Sequence, residues 1–247
     1  MSEPLSGVVR LLDRINAAAA WLARWSVLLM LAISPPYSPE LLGRTLTACK
    51  HAEVPLTILF NKVDILEGDS ETLEAVEQEL FEITLGEVPT HYISVTERPA
   101  ETETLLRPLL EKKRTLILGQ SGMGKSTLIN LLIPGALAAT NEISMALNAG
   151  KHTTTHTQMH FGEEGLELID SPGFQAFGLH HLSESDLLNA FTDIRDEGNK
   201  CRFANCQHKR EPDCAVKNGL EDGTLSPARY ALYQMLKAEL QEASQSY

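Results

Sequence analysis

The segment Leu116-Ile-Leu118 followed by Gly119-Gln-Ser-Gly-Met-Gly124-Lys125-Ser126 leaves this chain few folds to choose from. An apolar run that ends in a glycine-rich loop, with the helix-forming run Ser126–Leu132 behind it, reads as a buried strand turning directly into a helix. The unpaired N–H groups and positive dipole end at the start of such a helix attract phosphate oxygens. Glycines let the loop backbone curl around those oxygens without a Cβ in the way. In this reading Gly119, Gln120, Ser121, Gly122, Met123 and Gly124 form a cradle and Lys125 reaches the β and γ phosphates. Ser126, followed by Thr127, offers its hydroxyl to magnesium. A chance glycine-rich turn is the plain alternative, and the strand before and helix after argue against it.

The same alternation runs through the chain. Val27–Ile33 reads as a fully buried strand ended by Ser34-Pro35-Pro36, and Pro39–His51 as a helix that buries Cys49. Strands are expected at 56–60, 91–95, 115–118, 158–161 and 166–170. Helices are expected at 70–80, which is acidic and amphipathic, at 104–110, and from Ser226-Pro227 onward. Strands alternating with helices predict an α/β P-loop fold, a three-layer αβα sandwich with a mostly parallel sheet and ligand loops at the strand C-terminal ends. Asn16–Trp25 suits a helix. The apolar stretch Ile15–Ser34 has about a membrane-spanning length, but Arg24 interrupts it and the strand it contains opens the alternating series, so no membrane span is expected. The length allows a large domain over 26–180, a small one over 181–247 and an extension over 1–25.

Asn61-Lys62-Val63-Asp64 follows the second strand. A carboxylate at Asp64 can accept from both N1–H and the 2-amino group of guanine, which adenine cannot offer. Asn61 can hold the loop and approach the base, while the Lys62 stem covers its face. An Asx turn closing the strand is the bland alternative. Ser94 and Val95, after the next strand, stand where a second base-contacting loop would be. Asp170-Ser-Pro-Gly173 also ends a strand: Asp170 can hold magnesium through water and the Gly173 N–H can sense a γ-phosphate. Between the phosphate loop and this sensor, Gly150-Lys-His-Thr-Thr-Thr155 is a polar hydroxyl run, in which Thr154 is the candidate to complete the magnesium shell when the loop orders. The base reader thus precedes the phosphate loop and the sensor, the reverse of the usual order, so the chain reads as circularly permuted.

Cys201, Cys206, His208 and Cys214 offer three thiolates and an imidazole within fourteen positions, which suits a closed tetrahedral zinc shell better than disulfides. Lys200, Arg202, Lys209 and Arg210 make this knuckle basic, which suits RNA phosphate or simply a solvated face. The net charge of −12 argues against generic charge-driven nucleic-acid binding, though not against such a local patch. A signal peptide is not evident, and a cytoplasmic location is expected.

These motifs, in this order, resemble the ribosome small-subunit-dependent GTPase A family of circularly permuted GTPases over roughly residues 26 to 240. The resemblance implies hydrolysis of GTP to GDP and phosphate, late maturation of the small (30S) ribosomal subunit with contact to its rRNA, and stimulation by that subunit. It also implies a structural zinc ion and magnesium bound with GTP. Many GTPases orient the attacking water with a Gln just after the sensor glycine, and here that position is Phe174. The resemblance points instead to His152, with an ordinary solvent-exposed loop histidine as the alternative. Relatives carry an N-terminal OB-fold barrel, for which the residues ahead of the first strand are too few, so the chain is expected to lack it. A monomer is expected. A nucleotide-gated, zinc-stabilised RNA- or ribosome-binding switch with little turnover remains the alternative.

Overall fold

The computed structural model describes residues 24–136, 157–170, 178–179 and 182–245. The strands are β1 (Trp25–Ala32), β2 (Leu56–Asn61), β3 (Thr90–Ile93), β4 (Arg114–Leu118), β5 (Gln158–Phe161) and β6 (Glu167–Asp170). They form one six-stranded sheet in the order β3-β2-β1-β4-β6-β5, parallel throughout except for the antiparallel edge strand β5. The helices are α1 (Pro39–His51), α2 (Ser70–Thr84), α3 (Pro99–Leu110), α4 (Lys125–Leu132), α5 (Glu184–Ala190), α6 (Thr192–Gly198), α7 (Ala215–Glu221) and α8 (Pro227–Gln245).

The central strand explains its own position. β1 is apolar without alternation and buried from Ser26 to its end, as a strand covered on both faces must be. Its pleat sends Leu29 and Leu31 to one face, with Ile58, Phe60, Leu116 and Leu118, against α1, α2 and the C-terminal helices. Leu28 and Met30 face the other way, with Leu59 and Ile117, against Leu106 and Leu110 of α3 and Leu128 and Ile129 of α4. The first core is continuous through Leu41 and Leu42 of α1 to Leu232 and Leu236 of α8, so the C-terminal helices share the sheet's core.

Several expected boundaries move. Trp25, expected in a helix, begins β1, and Ile33 falls outside that strand. The rest of the proposed Asn16–Trp25 helix, up to residue 23, lies outside the described residues. Helix α2 runs on to Thr84, where Leu85 closes it in the left-handed conformation. Helix α3 begins at Pro99 rather than 104, because a proline fits the first turn, where no N–H partner is needed. No helix among the described residues is long and apolar enough to cross a membrane.

Candidate nucleotide site and metal centre

The sheet reverses its winding at β1. The chain passes from β1 outward through β2 to β3, then returns to place β4 on the other side of β1. Such a switch point opens a crevice beyond the strand C-termini. The loops after β2 and β4 flank it, so the base reader and the phosphate loop lie two strands apart, roughly 10 Å at ordinary strand spacing.

Asn61 ties them together. Its Nδ2 donates to the Met123 carbonyl in the phosphate loop at 2.9 Å, and its Oδ1 accepts from the Val95 N–H at 3.1 Å. Both ends of this buried carboxamide therefore serve the loops, and the second Nδ2 hydrogen leaves one donor in hand. Lys62 takes the left-handed conformation, φ 67°, and its Nζ donates to the Ser34 carbonyl at 2.6 Å. Ser94 Oγ donates to Asp64 Oδ1 at 2.5 Å and accepts from the Glu97 N–H at 3.2 Å, which holds one carboxylate oxygen in place. Asp64, Ser94 and Val95 thus form one group on the β2 and β3 side.

The phosphate loop curls as its glycines require. Gly124 has φ +102°, and a Cβ there would lie 2.4 Å from Asn61 Nδ2. Gly119 passes so close to β1 that a Cβ would meet the Met30 carbonyl at 2.6 Å. Lys125 Nζ donates to the Gly119 and Gln120 carbonyls at 2.7 and 2.9 Å, inside the arch. Burial pulls its pKa below the ordinary lysine value, with the Asp170 carboxylate opposing. Ser121, Gly122, Ser126 and Thr127 are exposed, whereas Met123 is buried as the loop's anchor in the core.

Asp170 ends β6 opposite Ile117 of β4, which brings it beside the loop. Burial raises its pKa and the Lys125 ammonium opposes that. Among the described residues its buried Oδ1 has no hydrogen-bond partner. An orphaned carboxylate oxygen is costly in isolation and well suited to a hard cation or its water, so Asp170 and Ser126 fit magnesium. His152, Thr154 and the other residues of 150–155, together with Gly173 and Phe174, lie outside the described residues.

The ligating atoms of Cys201, Cys206, His208 and Cys214 all lie within 4.8 Å of one another. Cys201 Sγ and Cys214 Sγ are 3.9 Å apart, and each lies 3.6 and 3.4 Å, respectively, from His208 Nδ1. A tetrahedral shell with metal–sulfur bonds of about 2.3 Å requires sulfurs roughly 3.8 Å apart, so the spacing fits zinc. The cysteines are free, which sets aside the disulfide alternative. Burial works against a Cys201 thiolate, but N–H groups of Val216 and Ala215 at the start of α7, together with the Cys206 and Cys214 thiols, outweigh it and lower its pKa. Burial also holds His208 below the ordinary histidine value, favouring the neutral ligating ring. The Tyr230 hydroxyl donates to the His208 carbonyl at 2.7 Å, anchoring the knuckle to α8.

Two interactions at these sites escape a reading by motif. Glu211 accepts from the N–H groups of Gln207, Lys209 and Arg210 at 2.7 to 2.9 Å, and those donors, Gln207 first, hold its pKa at about 2. Its one visible signal is an acid inside a basic turn. Gln120 Oε1 accepts from the Ser38 N–H at 2.9 Å, for which the sequence carries no signal at all. Of the basic knuckle residues, Lys200 pairs with Glu197 and Arg202 with Asp213.

Residues 17–180 match the family model described as RsgA GTPase, which spans the sheet and both nucleotide loops. The chain belongs to the RsgA GTPase family. It is 45% identical over 219 residues to the "Small ribosomal subunit biogenesis GTPase RsgA" of Burkholderia mallei strain SAVP1, covering 89% of this chain and 68% of that protein. The protein of the same name from Paraburkholderia phytofirmans is 45% identical over 227 residues, covering 89% and 69%. Among solved structures, YjeQ from Thermotoga maritima aligns with a TM-score of 0.65 at 28% identity, covering 87% of this chain and 71% of that one. YloQ, described as a circularly permuted GTPase, aligns at 0.64 and 26% identity, covering 88% and 68%. An RsgA fold with permuted motifs therefore accounts for the reversed order of reader and phosphate loop.

Proposed function

We propose that this chain binds GTP across the crevice between the Asp64 and Gly119–Ser126 loops, hydrolyses it to GDP and phosphate, and acts in biogenesis of the small ribosomal subunit. The observation that carries the reading is the Asn61 bridge, which joins the reader and the phosphate loop into one site despite their swapped places in the chain. Asp64, set by Ser94, reads guanine. The phosphate loop backbone and Lys125 hold the β and γ phosphates. Ser126, Asp170 and Thr154 hold magnesium, which supplies charge neutralisation on the phosphates. The Gly173 N–H senses the γ-phosphate, and His152 orients water.

The Cys201, Cys206, His208 and Cys214 shell holds one structural zinc ion. With no open ligand position it shapes residues 181–247 and takes no part in hydrolysis. Residues 26–180 form the nucleotide-binding unit, on which 181–247 pack as a second unit through α1 and α2. The chain acts as a cytoplasmic monomer that contacts rRNA of the subunit. Phosphate release from GTP, measured with and without purified small subunits, tests the reading. Stimulation by the subunit is expected. Retained GTP and GDP binding with no stimulated turnover would leave a binding switch in its place.

A further inference from the structure

Among the described residues, side-chain hydrogen bonds tie the phosphate loop to the rest of the molecule at two points, and only one of them is the Asn61 bridge at Met123. The other is near the loop's start, where Gln120 Oε1 accepts from the backbone N–H of Ser38, 82 residues away in sequence. Ser38 is the N-cap of α1, its Oγ accepting from the Leu41 N–H at 3.1 Å. In a reciprocal capping box the residue three places on would return a side-chain acceptor to the N-cap N–H. Here that residue is Leu41, which has none. Gln120, from the loop after the neighbouring strand β4, supplies the missing acceptor.

The donor is itself fixed. Pro39 occupies the first turn of α1, Leu41 and Leu42 sit in the core, and Arg44 donates from Nη2 and Nε to Glu239 Oε2 of α8 at 2.8 and 2.9 Å. The Pro35 ring stands against Gly122, close enough that a Cβ there would lie 3.3 Å from Pro35 Cδ. The Lys125 bonds to Gly119 and Gln120 lie within the loop, so they shape the arch but cannot place it. The two external ties add to the strand, helix and core contacts that place it.

We infer that Gln120 is a positioning residue for the polyphosphate: its side chain anchors the first half of the phosphate loop to the capped end of α1. This rests on the nucleotide reading above. The anchor fixes where the loop N–H groups point, and has no part in reading the base, which lies on the Asp64 side.

The test uses the full chain and a double-mutant cycle. Gln120→Met keeps length and removes the acceptor, and Ser38→Pro removes the donor, with Ser38→Ala controlling for the lost hydroxyl cap. Affinities for GTP, GDP and guanosine are measured by titration or competition. A lost net hydrogen bond should weaken GTP and GDP about fivefold in Gln120→Met, with guanosine unchanged. Ser38→Pro relative to Ser38→Ala should show the same loss, and the double variant should be no worse than either. Wild-type affinity for GTP and GDP in Gln120→Met overturns the inference, as does an equal loss for guanosine, which would mark a general structural defect. Losses that multiply in the double variant also overturn it. Should Ser38→Pro not fold, the ligand comparison in Gln120→Met decides alone. Absence of guanine-nucleotide binding by the wild type would instead sink the nucleotide reading and this inference with it.

Discussion

Asn61 Nδ2 reaches the Met123 carbonyl at 2.9 Å across 62 residues of chain. The bond is possible because β2 and β4 flank β1, so their C-terminal loops meet over one strand. A permutation moves chain ends and leaves strand order in space free to satisfy the same site. The reader can therefore come first in sequence and still share a crevice with the phosphate loop.

Replacing Asn61 with Ala strips partners from two backbone groups, the Met123 carbonyl and the Val95 N–H. The residue is 3% exposed, so water does not readily compensate. Each unsatisfied buried group costs about 1–3 kcal/mol. Asn61→Ala should lower unfolding stability by about 2–4 kcal/mol in urea titrations. It should also weaken GTP and GDP together by at least about tenfold, since each 1.4 kcal/mol of lost preorganisation is a factor of ten. Unchanged affinity would show that the bridge does not hold the loops for nucleotide.

Asp170 gives a pH signature. Its folded pKa lies above the ordinary carboxylate value because burial disfavours the charge, with Lys125 opposing. A carboxyl raised in the folded state favours folding below its unfolded pKa, and that contribution is lost as pH rises through the folded value. Asp170→Asn should therefore stabilise the nucleotide-free protein at neutral pH by about 1 kcal/mol, relieving a buried charge whose Oδ1 has no partner among the described residues. Magnesium competes with the proton for this carboxylate, so magnesium-dependent tightening of GTP should fade on acidification and vanish in Asp170→Asn. Thermal melts with and without magnesium and GTP check both halves.

Much of this architecture is visible in the residues, for identifiable reasons. β1 and β2 are near-continuous apolar runs because they are covered on both faces, and each ends at a loop that turns toward the crevice. The zinc cluster is legible because its ligands fall in one short segment. The start of α3 is not, since Arg98 makes no side-chain cap and Pro-Ala-Glu-Thr-Glu reads as polar loop. Least legible are contacts whose partner is a backbone atom far away. Nothing in the types of Gln120 and Ser38 predicts that one will complete the other's helix cap.

Removing the metal should loosen the knuckle and α7 before the sheet. The segment 201–214 contains little regular structure, and among its described contacts the ligand cluster, Glu211 and the Tyr230 bond to His208 hold it in place. One zinc per chain is expected by elemental analysis, falling to well under one in Cys214→Ser. A strong chelator should increase amide exchange across 199–221 while leaving β1, β2 and β4 protected. Uniform protection after zinc removal would show that the cluster needs no metal to hold its shape.

Arg229 is the largest buried charge in the seam between α8 and the rest, with 2% of its surface exposed. Its Nε donates to both carboxylate oxygens of Asp193 at 2.9 and 3.0 Å, Nη2 donates to the Ala190 carbonyl at 3.0 Å, and Nη1 donates to the Ile83 carbonyl. The guanidinium also lies 4.6 Å from the Phe191 ring centre. One side chain thus satisfies the C-terminal carbonyls of both α2 and α5 while pairing with the start of α6. Arg229→Ala leaves Asp193 and both carbonyls short of a partner in a dry seam, which should cost about 3–5 kcal/mol in urea unfolding. Arg229→Met with Asp193→Leu removes both charges and fills the volume, so it should recover part of that loss. If the single variant loses less than about 1 kcal/mol, water reaches the seam and the staple is weaker than its geometry implies.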